Sequence, residues 1–372
     1  MSTTLKCLLM AIFIASVVAS NVSYDQCAEE PKLSIQDKIL ANFEHDSKLL
    51  FKVWHLVHKK DYDYNTMEGI NKYRTFKKKL AEIKQHNASN SSYKKGLNHL
   101  SDMTDDEVRS YYNLKPMTIK QLRKRMMKET KFSLDDYNDD EEVINVKPYI
   151  QAKTNVDWSK RNKEPRNQGS CGSCWAFTTQ AVMENNYNDG TRPDLTDYFS
   201  TQQLVDCDTS NGGCNGGWFE GALMFYQNNA VCLEAAYPYT GVQANCEQDK
   251  KSKTNSKVKD FTSLYDGWNM TDDAFWKLLS RGAVAVAVDA NNSWFSYKSG
   301  VCDGDCSAGV NHAVTLVGYN AGGKCSGAYW LIRNSWGTSW GENGFIKIKD
   351  EVSNNKSCNI GKYAFQPTGF TN

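Results

Sequence analysis

The run Gln168-Gly169-Ser170-Cys171-Gly172-Ser173-Cys174-Trp175-Ala176-Phe177 decides how this chain is read. From Ser173 to Asn186 the residues form a strong helix-forming, largely apolar pattern, which places Cys174 in the first turn of a helix. The positive end of a helix dipole favours a thiolate, the nucleophilic form of cysteine. A thiolate needs a partner that holds and moves its proton. His312, at the start of a strand-like run, is the candidate, and only the fold can bring it to Cys174. Asn334 can accept a hydrogen bond from one imidazole nitrogen, leaving the other for the sulfur. Gln168 supplies a side-chain amide that can join the Cys174 N–H in stabilising an oxyanion. Other uses of Cys-x-x-Cys fit less well. A redox pair wants a βαβ context, which is missing, and a zinc site wants a second matching pair, whereas Cys302 and Cys306 are poorly spaced.

The whole chain has 372 residues, enough for about two units with cores of their own. Its 44 basic and 43 acidic residues leave a net charge of +1, without the basic excess that marks nucleic-acid binding. Hydrophobic residues at 40% and aromatics at 12% exclude wholesale disorder. Twelve cysteines point to an oxidising compartment. Lys6, the apolar run Leu8–Ala19 and the small residues Ala19 and Ser20 read as a signal peptide cut near Ser20. That run is too short to span a bilayer and no later segment is long enough, so no membrane span is expected. Six Asn-x-Ser/Thr sequons, at Asn21, Asn87, Asn90, Asn269, Asn291 and Asn355, fit a secretory route.

The N-terminal third reads as helices. Ile39, Phe43, Leu50, Phe51, Trp54 and Val57 recur on one face, and Ile70, Tyr73, Phe76, Leu80 and Ile83 on that of a helix from about Thr66 to His86. Between Gly96 and Val108 the pattern is strand, turn and a helix start capped by Thr104 with Glu107. A basic stretch, Lys120–Lys131, and an acidic one, Asp135–Glu142, lack an apolar period and read as a linker open to cleavage. From about Ile150 a helical part (Ser173–Asn186, Thr201–Leu204) precedes strand-like runs at Ala283–Val288, Ala313–Tyr319, Tyr329–Arg333 and Phe345–Lys349. That order suggests an α+β unit of two lobes.

These motifs resemble a papain-family cysteine protease precursor of the cathepsin L type. The resemblance rests on Cys171-Gly172-Ser173-Cys174-Trp175, Asp206-Cys207, Gly213-Cys214-Asn215-Gly216-Gly217, Tyr237-Pro238-Tyr239 and Asn334-Ser335-Trp336-Gly337-Thr338-Ser339-Trp340-Gly341. It covers about Val156 to Pro367. The family's pro-segment helix pattern appears as Glu68, Lys72, Phe76, Lys79, Ile83 and Asn87, with Lys72 for Arg and Lys79 for Asn. A second pro-segment pattern appears as Gly96, Asn98, Leu100 and Asp102, with Leu100 for Phe.

The resemblance implies a papain-like two-lobe fold, with a helical left lobe and a β-barrel-like right lobe, preceded by a mostly helical inhibitory pro-domain. The expected division is signal peptide 1–20, pro-segment 21–150 and peptidase 151–372. The implied roles are Cys174 nucleophile, His312 acid/base, Asn334 orienter and Gln168 oxyanion hole, with Trp336 shielding the His–Asn bond. The implied disulfides are Cys171–Cys214, Cys207–Cys246 and Cys306–Cys358, each worth roughly 2–4 kcal/mol. Cys302 and Cys325 are open to pairing, which leaves Cys232 and Cys27 unassigned. Gly216 and Gly217 are expected to pair with an extended substrate. Trp218, Phe219, Ala287, Ala313 and Tyr363 line the pocket for the side chain two residues before the scissile bond, with no acid at its base and a preference for Leu or Val over Arg. Between Trp158 and Gln168 the chain is about two residues shorter than the family. No insertion with paired histidines lies between Cys214 and Tyr237, which favours an endopeptidase.

The implied protein is a zymogen without cofactor or metal, monomeric, acting on proteins and peptides, held by its own pro-segment and open to cystatin-like inhibitors. It would reside in a lysosome or acidic vacuole or be secreted. The competing class is a catalytically inert protease-like binding protein; intact Cys174, His312, Asn334 and Gln168 argue against it.

Overall fold

The computed structural model describes residues 35–43, 45–112, 114–115, 154–191, 195–251, 254, 256–265, 270–304, 306, 309–323, 327–350 and 357–371. The signal-peptide, linker and 150/151 boundary expectations lie outside these residues, as do Cys27 and Cys325.

The N-terminal helices are α1 (Ile35–Ala41), α2 (Ser47–Val57) and α3 (Met67–Asn87). Asp46 caps α2 by accepting from the N–H groups of Lys48 and Leu49, and Thr66 caps α3 by accepting from Gly69. The apolar faces of α2 and α3 meet: Phe76 lies 5.2 Å from Phe51 and 5.1 Å from Trp54, ring to ring. Gly69 is dictated by the loop leading into α3, because a Cβ there would sit 2.4 Å from Asp63 and Tyr64 backbone atoms. Trp54 is wholly buried and its indole N–H donates to the Asn98 carbonyl at 2.9 Å.

Strand β1 (Tyr93–Lys95) and the short helix α4 (Asp105–Arg109) follow, and α4 carries the expected Thr104–Glu107 capping box. Here the two departures from the family pattern find partners. Lys72 reaches Glu107 at 2.7 Å, and Lys79, buried, reaches Asp105 at 2.5 Å. Burying a lysine is tolerable only when it is paired, and α4 supplies the acids.

The remainder comprises β2 (Val156–Asp157), α5 (Cys174–Tyr187), α6 (Thr201–Cys207), α7 (Phe219–Asn228), β3 (Lys257–Tyr265), α8 (Asp272–Leu279), β4 (Val284–Val288), α9 (Asn292–Phe295), β5 (Tyr297–Cys302), β6 (His312–Asn320), β7 (Tyr329–Arg333), β8 (Phe345–Lys349) and β9 (Tyr363–Thr371). The strands run β1-β5-β8-β7-β6-β4-β9-β3, with β2 added beside β6. All pairings are antiparallel except β5–β8. This corrects the barrel-like expectation: the sheet is open, ending at β3 and at β1. One edge is therefore closed by the N-terminal segment, through Tyr93 opposite Gly300 and Lys94 opposite Ser299.

Helix α5 lies against β6, β4 and β9 and is buried from Cys174 to Asn185. Strand β4 is buried at all five residues, so its Val-Ala-Val-Ala-Val sequence needs no polar alternation. The disulfides Cys171–Cys214, Cys207–Cys246 and Cys306–Cys358 are all present. Cys302 is buried and its thiol donates to Ser293 Oγ at 3.7 Å. Among the described sequons, the side chains of Asn87 and Asn291 are engaged by Lys95 and Ser293, while Asn90 is exposed. No helix among the described residues is long and apolar enough to cross a membrane.

Trp54→Ala empties the helical core beside α3 and is expected to destabilise this unit by ~3–5 kcal/mol. Thermal unfolding of the full chain checks it: the variant should melt at least several degrees lower, and an unchanged profile would contradict the packing.

Candidate active site

Cys174 is the first residue of α5, and His312 is the first residue of β6, against which α5 packs. Both are wholly buried. The imidazole Nε2 lies 2.8 Å from Asn334 Oδ1. A carbonyl oxygen only accepts, so Nε2 carries the proton. Among the described residues Nδ1 has no hydrogen-bond partner, which leaves it as the nitrogen for proton exchange. Trp336 stacks on the imidazole, centroids 5.2 Å apart and planes within 27°. Asn334 itself is fixed by its N–H to the Gly344 carbonyl and by the Ser335 N–H to its Oδ1.

Gln168 is buried with every polar end in use. Its Oε1 accepts from Ser335 Oγ at 2.6 Å and its Nε2 donates to the Cys171 carbonyl at 2.9 Å. The same Nε2 donates to the carbonyl of Tyr111, from the N-terminal segment. That segment continues across the site. The Leu114 N–H donates to the Asn311 carbonyl at 3.2 Å and the Lys115 N–H to the Gly217 carbonyl at 3.1 Å, with Leu114 bridged to Gly217 in the parallel sense. Gly217 is thus bridged to the N-terminal segment. Only glycine fits there, since a Cβ would stand 2.6 Å from Asn211 Oδ1 and 2.8 Å from the Trp175 ring. Gly216 has φ +97°, and its carbonyl accepts from the Gly212 N–H.

The pocket candidates come together in part. Trp218 meets Tyr363 edge-on at 5.0 Å, and Ala287 and Ala313 are cross-strand partners. Phe219 is wholly buried and packs on Phe365 at 4.6 Å, so it also belongs to the core. The sequence reading passed over Glu220, which is buried behind these aromatics with Ser263 Oγ at 3.5 Å. Tyr265, beside Tyr363, has its hydroxyl pushed far up by burial and by Glu220. The short loop before Gln168 is tied down by Arg333, which donates to the Lys163 and Glu164 carbonyls.

Sequence reasoning also missed Tyr111, Tyr112 and Leu114, although two adjacent tyrosines just after a capped helix are a visible signal. The Tyr112 ring lies 5.7 Å from His312 and 6.2 Å from Trp336. Among the described residues no group of three or more His, Cys, Asp or Glu could hold a metal ion.

Residues 152–368 match the papain family cysteine protease domain, and residues 51–108 match the cathepsin propeptide inhibitor domain. The chain belongs to the papain family of cysteine proteases, and its helical N-terminal segment makes it a zymogen. It is 34% identical to a KDEL-tailed cysteine endopeptidase of Arabidopsis thaliana over 87% of this chain and 86% of that one. It is 33% identical to chymopapain of Carica papaya, again over 86% of each. A recombinant stem bromelain precursor superposes with a TM-score of 0.71 at 28% identity, covering 87% of this chain and 98% of that one.

Burial lowers the His312 pKa to about 4, with the Asn334 bond pulling the other way. In the propeptide domain, burial lowers His58 to about 4, with Lys60 and Lys298 adding and Asp37 opposing, and lowers His99 to about 3, with His58 and Lys60 adding. His99 touches the catalytic domain, with Nδ1 3.3 Å from Ser339 Oγ. All three bind protons less readily when covered than in the open chain, where the reference is about 6.5. The covered form is therefore most stable above about pH 6.5 and loses stability as pH falls towards 4. In a Cys174→Ala background the thermal midpoint should drop between pH 7 and 4.5, and His99→Gln should flatten that slope; equal slopes would refute the assignment.

Proposed function

We propose that this zymogen matures to an endopeptidase that hydrolyses peptide bonds through a thioester acyl-enzyme, with Cys174, His312, Asn334 and Gln168 as its working residues. The Cys174 thiolate attacks the scissile carbonyl carbon. The oxyanion is held by the Gln168 amide and the Cys174 N–H. His312 gives its Nδ1 proton to the leaving amine, then takes one from the water that attacks the thioester. Asn334 keeps the imidazole turned, and Trp336 keeps water from the His–Asn bond.

The observation that supports this reading most is the Tyr111 carbonyl on Gln168 Nε2. A peptide carbonyl already sits on the donor that a tetrahedral intermediate needs. The Trp218–Tyr363 wall favours Leu or Val over Arg two residues before the cut. The reading extends to a signal peptide at 1–20, a removable pro-segment at 21–150 and a peptidase at 151–372. The mature enzyme is a monomer, reaches an acidic vacuole, a lysosome or the outside through the secretory pathway, and is open to cystatin-like inhibitors. Its partners are protein substrates and its own pro-segment.

Fluorogenic dipeptides test the proposal. Cys174→Ala should cost at least about a thousandfold in kcat, and Gln168→Ala roughly 100–1,000-fold. A Leu-containing substrate should outpace its Arg counterpart in kcat/KM, and the reverse order would overturn the pocket assignment. An irreversible epoxide inhibitor should label Cys174 stoichiometrically.

A further inference from the structure

Two sequons stand end to end where α3 gives way to β1: Asn87-Ala88-Ser89 and Asn90-Ser91-Ser92. They read alike in sequence, and the fold treats them differently. Asn87 Nδ2 donates to the Lys95 carbonyl at 2.8 Å, and its Oδ1 accepts the Lys95 N–H at 2.8 Å. An amide that pairs with both groups of one residue presents Oδ1 and a hydrogen of Nδ2 on the same side. The bond to Lys95 therefore uses the hydrogen syn to Oδ1. An N-linked sugar turns the side chain into a secondary amide, which is planar and strongly prefers trans. The remaining hydrogen then lies anti to the oxygen, and the sugar carbon takes the syn place. A sugar on Asn87 would thus stand where the Lys95 carbonyl is.

Asn291 is closed off as well. Its Oδ1 accepts from the Ser293 N–H and Oγ at 2.9 and 2.6 Å. Its Nδ2 lies 3.5 Å from Cys306 Sγ, within the Cys306–Cys358 disulfide. Asn90 differs on each count. It is exposed, and among the described residues its side chain makes no hydrogen bond. It lies just before β1, the strand at one end of the sheet, where a bulky hydrophilic group meets water.

The bonds of Ser92 set the order of events. A sequon needs its hydroxyl at the third position. Here the Ser92 Oγ donates to the Val301 carbonyl at 2.7 Å, and the Ser92 carbonyl accepts the Val301 N–H at 3.1 Å. Val301 lies 209 positions downstream. When the sequon first emerges from synthesis its partner has not been made, so the hydroxyl is open then and engaged once the N-terminal segment has docked.

We infer that Asn90 carries an N-linked oligosaccharide, attached before the N-terminal segment docks, while Asn87 and Asn291 stay bare. Asn90 Nδ2 forms a bond to the anomeric carbon of an oligosaccharide carried on a lipid diphosphate. The bond from that carbon to the phosphate oxygen breaks, the diphosphate leaves with the electron pair, and Nδ2 gives up one proton to a base of the transferring enzyme. The inference rests on the proposed secretory route, and on the proposed division the sugar departs with the pro-segment.

The test uses the full chain with Cys174→Ala, made in a eukaryotic secretory host so that the pro-segment stays attached. Peptide N-glycosidase in heavy-oxygen water converts each sugar-bearing asparagine to a labelled aspartate, which peptide sequencing by mass spectrometry locates. The label should fall at position 90 and not at 87 or 291. Asn90→Gln and Ser92→Ala should each lose it, whereas Ser89→Ala, which removes only the Asn87 sequon, should keep it. Asn90→Gln gives up no bond of the fold, so it decides the matter even if Ser92→Ala fails to fold. Label at 87 or 291, or a chain cut near Ser20 with none at 90, overturns the inference. A chain neither cut there nor glycosylated overturns the secretory route and the inference together.

Discussion

A helix buried along nearly all its length has to be built round, and α5 sets that constraint here. Twelve of its residues, Cys174 to Asn185, have no access to solvent to speak of, so strands β4, β6 and β9 and helix α7 are arranged about it. Its N-terminus then has one direction to face, towards the start of β6. The site follows from this packing: a cysteine at the first position of the buried helix, a histidine at the first position of the strand it lies on. Even the polar groups along α5 serve the packing. Glu184 accepts the Phe199 N–H and Asn185 holds Trp158 and Ala283, so the burial leaves these groups bonded.

How much of this was readable depended on how local each signal was. The start of α5, the start of α3 near Thr66, the cap at Thr104, and the cores of β4, β6, β7 and β8 came from runs of adjacent residues, and the structure places them within a residue or two. Strands β3 and β9 were not read. They are nine residues each and pair with one another, but they lie about a hundred positions apart, carry register shifts near Val258–Phe261, and include Pro367 and Gly369. Neither shows the alternation that marks a half-buried strand. The open sheet was missed for the same reason: that β1 closes the far edge is a matter of pairing between Tyr93 and Gly300, not of anything near either residue.

The candidate site was legible in its chemistry and less so in its surroundings. Cys174, His312, Asn334 and Gln168 are identifiable because reactive residue types are few and their neighbours distinctive. Glu220 and Tyr265 behind the pocket, and Tyr111, Tyr112, Leu114 and Lys115 across the cleft, depend on tertiary contact alone. The lysines at 72 and 79 show how a departure from a pattern is absorbed. Each takes an acid from α4, and Lys79 also lies 5.6 Å above the Phe295 ring, so the propeptide helix reaches the catalytic domain through a residue that would otherwise be costly to bury.

Latency has two physical parts that need not have coincided. The first is occupancy. The Tyr111 carbonyl takes the Gln168 donor while Leu114 and Lys115 take the backbone of Asn311 and Gly217. The second is desolvation. With Tyr112 and Trp336 both packed near the imidazole and the residue wholly buried, the charged form of His312 is disfavoured and its pKa falls to about 4. A thiolate–imidazolium pair is therefore harder to form while the segment is in place. A chain that only filled the cleft would leave a charged, competent site beneath it, and any slip would expose its backbone to attack. On the proposed mechanism, one that also strips water from the imidazole disfavours the Cys174 thiolate, so a peptide carbonyl can rest on Gln168 without that contact alone committing it to cleavage.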